Sequence, residues 1–345
     1  MAGHTNDHIR TLSNRMRMYM AEGSFQMLGH LFCSGSLYQQ FLNMKNQTMI
    51  TEVFLLGFQN LGRFRILIFS QILGIYFLTL FANILIIVLV IVSKKLHSPM
   101  YFFLTQMSIS DMLMTTNTVP EMHSIIYNEG NFMSLKCCIF QLYLFGVSAV
   151  SECFLLTVVS YDRYLAICFP LLYNSIMDST LCLKCIVLCW ILGLSLTIIT
   201  TITIGNLQFC GSDHIDHFFC DLVPLLELSC SETVIVQIET YLLSVPILII
   251  PFIIVTVSYI YIVCTIIRIP SITGRQKAFS TCSSHLAVVS IYYGTLKCTY
   301  TVPPKGKSAS FSKILCLFCT VVTPILNPII YTLRNKDIKE AVRKL

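Results

Sequence analysis

The sequence predicts an all-α protein: a polytopic bundle of seven transmembrane helices followed by a short amphipathic C-terminal helix. Three observations predict it. Of 345 residues, 55% are hydrophobic and 12% charged, against roughly a quarter charged in an average soluble domain. Seven apolar stretches each approach or exceed the ~20 helical residues that span a bilayer core about 30 Å thick. Lys and Arg near the ends of these stretches gather in alternate loops.

The stretches run over residues 66–92, 99–123, 138–167, 181–204, 241–267, 278–300 and 310–331, and the fifth contains no charge. One or two such runs fit a soluble core, whereas seven leave too little polar surface for one. One side carries Lys94 and Lys95, Arg163 and Lys184, Arg268, Arg275 and Lys277, and then Arg334, Lys336, Lys339, Arg343 and Lys344. That side is expected to be cytoplasmic. The loop between the fourth and fifth stretches holds Asp213, Asp216, Asp221, Glu227 and Glu232 without Lys or Arg, as expected outside. Arg63 and Arg65 argue weakly the other way. The sum places the N-terminus outside the cell and the C-terminus in the cytoplasm.

Three parts follow: an extracellular tail over 1–65, a seven-helix membrane domain over 66–331 and a cytoplasmic amphipathic helix over 332–345. Asn46-Gln47-Thr48 is a glycosylation sequon in the tail. Residues 1–43 form a polar extension without strong periodicity, read as disordered, and Met44 is a candidate translation start. No cleavable signal peptide is evident, so the first membrane helix is expected to target the chain. Leu333, Ile338, Ala341, Val342 and Leu345 alternate with basic residues in a pattern suited to the inner leaflet.

The net charge of +6 is spread without a basic stripe interleaved with aromatics, which disfavours nucleic-acid binding. The 16 cysteines form no Cys/His set at zinc-finger spacing, and most sit in apolar runs as small packing residues. A transporter is expected to show a repeat relating two halves, and none is visible. No H-E-x-x-H, G-x-S-x-G or paired carboxylates at an open site point to an enzyme.

Ionisable groups inside a bilayer need a partner, a wet cavity or a task. Asn83, Asp111, Glu152 and Asn327 lie at depths that allow one polar cluster, either a switch core sharing protons, water or a cation, or a static packing network. Asp162-Arg163-Tyr164 ends the third stretch, where Arg163 pairs with its neighbour or reaches across to other helices. Pro324 and Pro328 are expected to kink the seventh helix, with Asn327 resatisfying carbonyls freed there.

Five strings then coincide with one known pattern. Residues 96–104 (LHSPMYFFL), 160–168 (SYDRYLAIC), Ser258-Tyr259, 277–286 (KAFSTCSSHL) and 324–331 (PILNPIIY) stand in order at the segment boundaries. From about Met44 onward the chain resembles the vertebrate olfactory receptors, of the rhodopsin-like G-protein-coupled class. The resemblance implies a multi-pass plasma-membrane protein that detects small volatile odorants and signals through a heterotrimeric stimulatory olfactory G protein to adenylyl cyclase. It implies no enzyme activity and no cofactor, with odorant, G protein and membrane lipids as partners and no nucleic acid.

By that pattern Cys138 pairs with Cys220 and Cys210 with Cys230, while Cys137 is an extra thiol able to compete. His217-Phe218-Phe219-Cys220-Asp221 invites a metal reading, but a disulfide-bonded Cys is no thiolate ligand, and no metal is expected. Asp162, Arg163, Tyr164, Tyr259, His285, Asn327, Pro328 and Tyr331 are assigned to G-protein coupling and switching, with the segment around His285 on the contacting surface. Pocket positions transfer to Phe145, Gly146, Ala149 and Val150, to Leu243, Ser244 and Ile247, to Tyr293, Leu296, Lys297 and Tyr300, and to Leu317 and Thr320. Small apolar ligands would bind there by burial, at about 25 cal/mol per Å².

Two positions depart from the pattern. Phe169 replaces the usual His before Pro170, and Lys297 stands where the family is ordinarily uncharged. Lys297 either snorkels outward, pairs with Glu239, or faces the pocket and selects anionic ligands.

Overall fold

The computed structural model describes residues 50–345 apart from 60, 211–212, 302–307 and 345, and within helices it leaves some side chains undescribed, among them residues 296–300. Residues 1–49 of the expected tail, with Asn46 and the Met44 start, lie outside the described residues.

Long helices dominate. They are α1 (Arg65–Val92), α2 (Pro99–Asn128), α3 (Leu135–Cys168), α5 (Ser179–Gly205), α7 (Val234–Arg268) and α8 (Ile272–Thr301), with the short α4 (Tyr173–Ile176) and α6 (Leu222–Glu227) in loops. The last stretch is divided into α9 (Ser308–Leu317), a π turn over Phe318–Val322, and α10 (Thr323–Arg334), followed by α11 (Lys336–Lys344). Local signals set the starts. Ser134 accepts from the Cys137 N–H at 3.2 Å before α3, Asp178 accepts from the Leu181 N–H at 2.7 Å before α5, and Pro99 occupies the first turn of α2, where no intrahelical donor is needed.

Five stretches among the described residues are long and apolar enough to cross a membrane: Gly62–Val92, Leu135–Cys168, Ser179–Gly205, Val234–Arg268 and Ser312–Thr332. The protein is a membrane bundle of α-helices. Helices α2 and α8 reach 30 residues each but are more polar. In α2 the polar side chains Ser108, Ser110, Asp111, Thr115 and Thr118 are buried, so they face neighbouring helices. Outward, α1 exposes Phe77, Phe81 and Ile84, and α7 exposes Ile238, Leu242, Val245 and Ile249, an inverted surface suited to lipid.

Helix α3 is central and packs on α2, α5 and α7. Where α5 crosses it, a Cβ at Gly193 would stand 2.1 Å from Ser151 Oγ, so only glycine permits that approach. One apolar cluster, including Phe103, Met107, Leu155, Leu156 and Ile262, fills the half toward Arg163. A second, including Val53, Leu55, Ile125, Phe209 and Ile215, fills the opposite end.

That opposite end holds an element absent from the all-α expectation. Strand β1 (Glu52–Leu55) pairs antiparallel with β2 (Asn131–Ser134) and parallel with β3 (His214–Ile215), in the order β2-β1-β3. Four residues are too few to show a period, but Val53 and Leu55 are fully buried with Glu52 exposed, which fixes the register.

The last membrane helix is irregular just before its prolines. Its irregularity is the π turn preceding Pro324, where Thr323 Oγ1 donates to the Phe318 carbonyl at 3.1 Å. Asn327 does not cap freed carbonyls. Asn83 does so instead, donating to the Pro324 carbonyl at 3.1 Å. Asn335 Oδ1 accepts from the N–H groups of Asp337 (2.9 Å) and Ile338 (3.3 Å) to start α11. Ile338 is buried, and Lys95 bridges Asp337 and Glu340.

Candidate functional site

A cavity of ~360 Å³ opens between α3, α5, α7, α9 and the loop before α7. Helix α3 contributes Phe145, Gly146, Ala149 and Val150, and α7 contributes Leu243, Ser244 and Ile247, all expected positions. The rest of the wall differs from expectation. On the last helix Ser312, Cys316 and Cys319 line it, whereas Leu317 does not and Thr320 is buried, donating to the Cys316 carbonyl at 2.8 Å. The extra residue of the π turn rotates the two halves of that helix by about 100° relative to a regular helix, which displaces a register carried over from one end.

Tyr293 lies outside the wall. Its ring packs on Phe252, with centroids 5.4 Å apart, and its hydroxyl is 3.2 Å from Cys153 Sγ. The side chains of Leu296, Lys297 and Tyr300 are outside the described ones. Glu239, the suggested partner of Lys297, accepts from Thr203 Oγ1 at 2.7 Å.

The sequence reading missed two parts of the wall. Helix α5 adds Thr197, Thr200 and Thr201, and the acidic loop adds Asp216, His217 and Asp221. The loop is anchored at several points. Cys138 and Cys220 are joined with Cα atoms 5.3 Å apart, and Cys210 and Cys230 with Cα atoms 5.7 Å apart. Cys137 is disulfide-bonded as well, so it is not the competing free thiol envisaged. The Cys220 N–H donates to Gln141 Oε1 at 2.8 Å. Lys313 Nζ pairs with Asp216 and donates to the Gly57 carbonyl at 2.9 Å. His217 packs against Phe218 and Phe219, each 4.7 Å away, and burial pushes its pKa below the usual histidine value, leaving a neutral ring at pH 7.

Toward the middle of the bundle, three of the four expected polar residues meet. Asn327 Nδ2 lies 3.0 and 3.1 Å from the two Asp111 carboxylate oxygens and 3.1 Å from Glu152 Oε1. All three are buried. Two carboxylates around one amide donor form a site where a shared proton or cation balances charge. Asn83 stands beside this group on the Pro324 carbonyl instead.

At the far end Arg163 pairs with the adjacent Asp162, donating from Nε at 2.9 Å. The pair is buried: the side chains of Asp162 and Arg163 are 0% and 13% exposed. Tyr173, on α4, was not anticipated and donates to Asp162 Oδ1 at 2.8 Å. Tyr164 packs edge-on against Phe169 and Tyr261. His285 is not on the surface: it faces inward, buried, with Nδ1 2.6 Å from the Tyr259 hydroxyl. Tyr331 is also buried, beside Met107. Pro328 follows Asn327 in α10 and leaves the Pro324 carbonyl without its helical donor.

The arrangement is a mostly apolar cavity with a few polar groups, a polar middle and a latched arginine. A family model described as olfactory receptor matches residues 72–345. The human olfactory receptor 11L1 is 46% identical over 301 residues, covering 87% of this chain and 94% of that protein. Human olfactory receptor 6N1 is 40% identical over 299 residues, covering 87% and 96%. Mouse olfactory receptor 5P53 is 41% identical over 303 residues, covering 88% and 98%. This chain therefore belongs to the olfactory receptor family, rhodopsin-like G-protein-coupled receptors rather than enzymes.

Proposed function

We propose that this receptor detects small volatile odorants in the ~360 Å³ cavity and signals through the stimulatory olfactory G protein to adenylyl cyclase. The observation that carries the reading is the cavity itself, walled by Phe145, Val150, Leu243 and Ile247, with Ser244 and three threonines of α5 as orienting polar groups. The chain crosses the plasma membrane seven times, α2 and α8 making up the number through their inward polar faces. Residues 1–65 form the extracellular tail, glycosylated at Asn46; 66–331 form the receptor domain and 332–345 the cytoplasmic helix.

Agonist binding favours a state in which the middle cluster of Asp111, Glu152 and Asn327 rearranges and Arg163 leaves Asp162 to meet the G protein. The agonist must bind that state more tightly, or it shifts nothing. Tyr164, Tyr259, His285 and Tyr331 repack in the same step.

The test is cyclic AMP in cells expressing the chain from Met44 with the olfactory G protein, challenged with neutral odorants, aldehydes and carboxylic acids. A dose-dependent response that Arg163→Ala abolishes at unchanged surface expression is expected. A fully active Arg163→Ala receptor would contradict the latch.

A further inference from the structure

Another recess lies on the lipid-facing surface of the bundle, between α5 and α7. It holds ~480 Å³ and is lined by Ile199 of α5 and by Ile235, Ile238, Glu239, Leu242 and Leu243 of α7. Ile235, Ile238 and Leu242 are more than half exposed, as side chains turned toward lipid are. One polar group interrupts this wall. Glu239 Oε2 accepts from Thr203 Oγ1 at 2.7 Å, whereas Oε1 is buried and has no hydrogen-bond partner among the described residues. An acceptor left so is costly, and a groove covered by lipid offers little water to relieve it.

We infer that this groove binds a membrane sterol, whose hydroxyl donates to Glu239 Oε1 while its fused rings lie along the wall toward Leu242. Depth supports this occupant. Glu239 stands two residues before the apolar stretch 241–267, and Thr203 two residues before the end of α5 at Gly205. The carboxylate is therefore at the edge of the hydrocarbon core on the side of the disulfide-bonded loop, where an amphipathic molecule keeps its polar end.

Charge and stiffness separate a sterol from the other lipids of that leaflet. None of the groove's lining residues is Lys or Arg, so a phospholipid would bring its phosphate beside a carboxylate with no cation to balance it. A sterol carries one uncharged donor and no phosphate. Its fused rings also lose less conformational freedom on binding than acyl chains do. Lipid tails compete on equal terms for the apolar wall, so the hydrogen bond to Glu239 decides the selection. The acceptor is aimed in advance, since the bond from Thr203 fixes the carboxylate. Leu243 lines both this groove and the cavity of ~360 Å³, so a bound sterol touches a side chain of the cavity wall.

The test uses the purified full-length receptor in phosphatidylcholine vesicles with a photoreactive cholesterol analogue that keeps its hydroxyl, the labelled positions being mapped by mass spectrometry. Label is expected on the end of α5 that carries Ile199 and on the part of α7 from Ile235 to Leu243. Cholesterol should displace it about 10-fold better than the corresponding 3-ketone, which has similar rings and no donor, the ratio one such hydrogen bond supplies. That comparison needs no variant to fold. Glu239→Leu should abolish the preference for the hydroxyl over the ketone. Label spread evenly over the lipid-facing helices, equal displacement by cholesterol and ketone, or a preference that survives Glu239→Leu would overturn the assignment. Displacement by phosphatidylethanolamine as effective as by cholesterol would overturn it too, and give the groove to a phospholipid amine.

Discussion

The side-chain amide of Asn83, on α1, donates to the Pro324 carbonyl of α10 at 3.1 Å and to the Thr79 carbonyl of its own helix at 3.0 Å. The first bond replaces a missing one. Pro328 has no N–H, so the carbonyl four residues before it lacks its helical donor in a region without water. Asn83→Ala should therefore destabilise the detergent-solubilised receptor by about 1–3 kcal/mol, the cost of a buried acceptor left unpaired. Adding Pro328→Ala restores a backbone donor and should recover part of the loss in melting temperature. Equal losses with and without Pro328→Ala would refute this role.

Tyr173 shares the Asp162 carboxylate with Arg163. It therefore holds the carboxylate in the geometry that keeps Arg163 on its own helix. Tyr173→Phe removes one hydrogen bond to a charged group. Taken at about 1 kcal/mol, that shifts a two-state equilibrium about 5-fold. On the latch reading, basal cyclic AMP per receptor at the cell surface should rise. Unchanged or lowered basal signalling would show that Tyr173 only supports α4.

How far the sequence reached follows from the kind of signal each feature carries. Helix α1 was expected over 66–92 and spans Arg65–Val92, because a long apolar run marks both ends. Helix α7 was expected from Tyr241 and begins at Val234, because Gln237 and Glu239 interrupt the run without stopping the helix. The meeting of Asp111, Glu152 and Asn327 was legible, since isolated polar residues in apolar helices seek one another. Strand β1 was not legible, as its pairing partners lie some 80 and 160 residues away in sequence. The wall positions Cys316 and Cys319 were missed because a π turn leaves no mark in composition. His217 and Asp221 were read in an acidic loop and in a metal motif that was set aside, not as cavity wall, because a loop's fold over a cavity is set by tertiary contacts such as Gln141 to Cys220.

Acid should destabilise the loop through His217. Burial lowers its pKa in the folded protein below its ordinary value near 6.5. The unfolded chain then takes up a proton that the folded one refuses. The stabilising contribution is whole above pH ~6.5 and is lost as pH falls from there toward the folded pKa, at no more than about 1.4 kcal/mol per pH unit for one proton. Asp221 and Asp216 favour the charged ring and Lys313 opposes it, without reversing the direction. Melting temperature measured from about pH 7.5 to 5.5 should fall less in His217→Phe than in the unsubstituted receptor. Parallel curves would place the acid sensitivity elsewhere.

Gly146 and Thr197 set the width of the cavity between α3 and α5. A Cβ at Gly146 would lie 2.4 Å from Thr197 Cγ2, closer than two such atoms pack, so Gly146→Ala must push the threonine or separate the helices. Overpacking of this kind costs about 1–3 kcal/mol. The threonine hydroxyl is committed to the Gly193 carbonyl at 2.7 Å, which resists rotation away from the clash. Thr197→Ser keeps that hydroxyl and removes only the methyl group. The double variant Gly146→Ala with Thr197→Ser should therefore be more stable, and more responsive to a given odorant, than Gly146→Ala alone. The two changes touch, so their effects should be strongly non-additive in melting temperature and in half-maximal odorant concentration. Simple additivity in both measurements would mean that this contact does not define the wall.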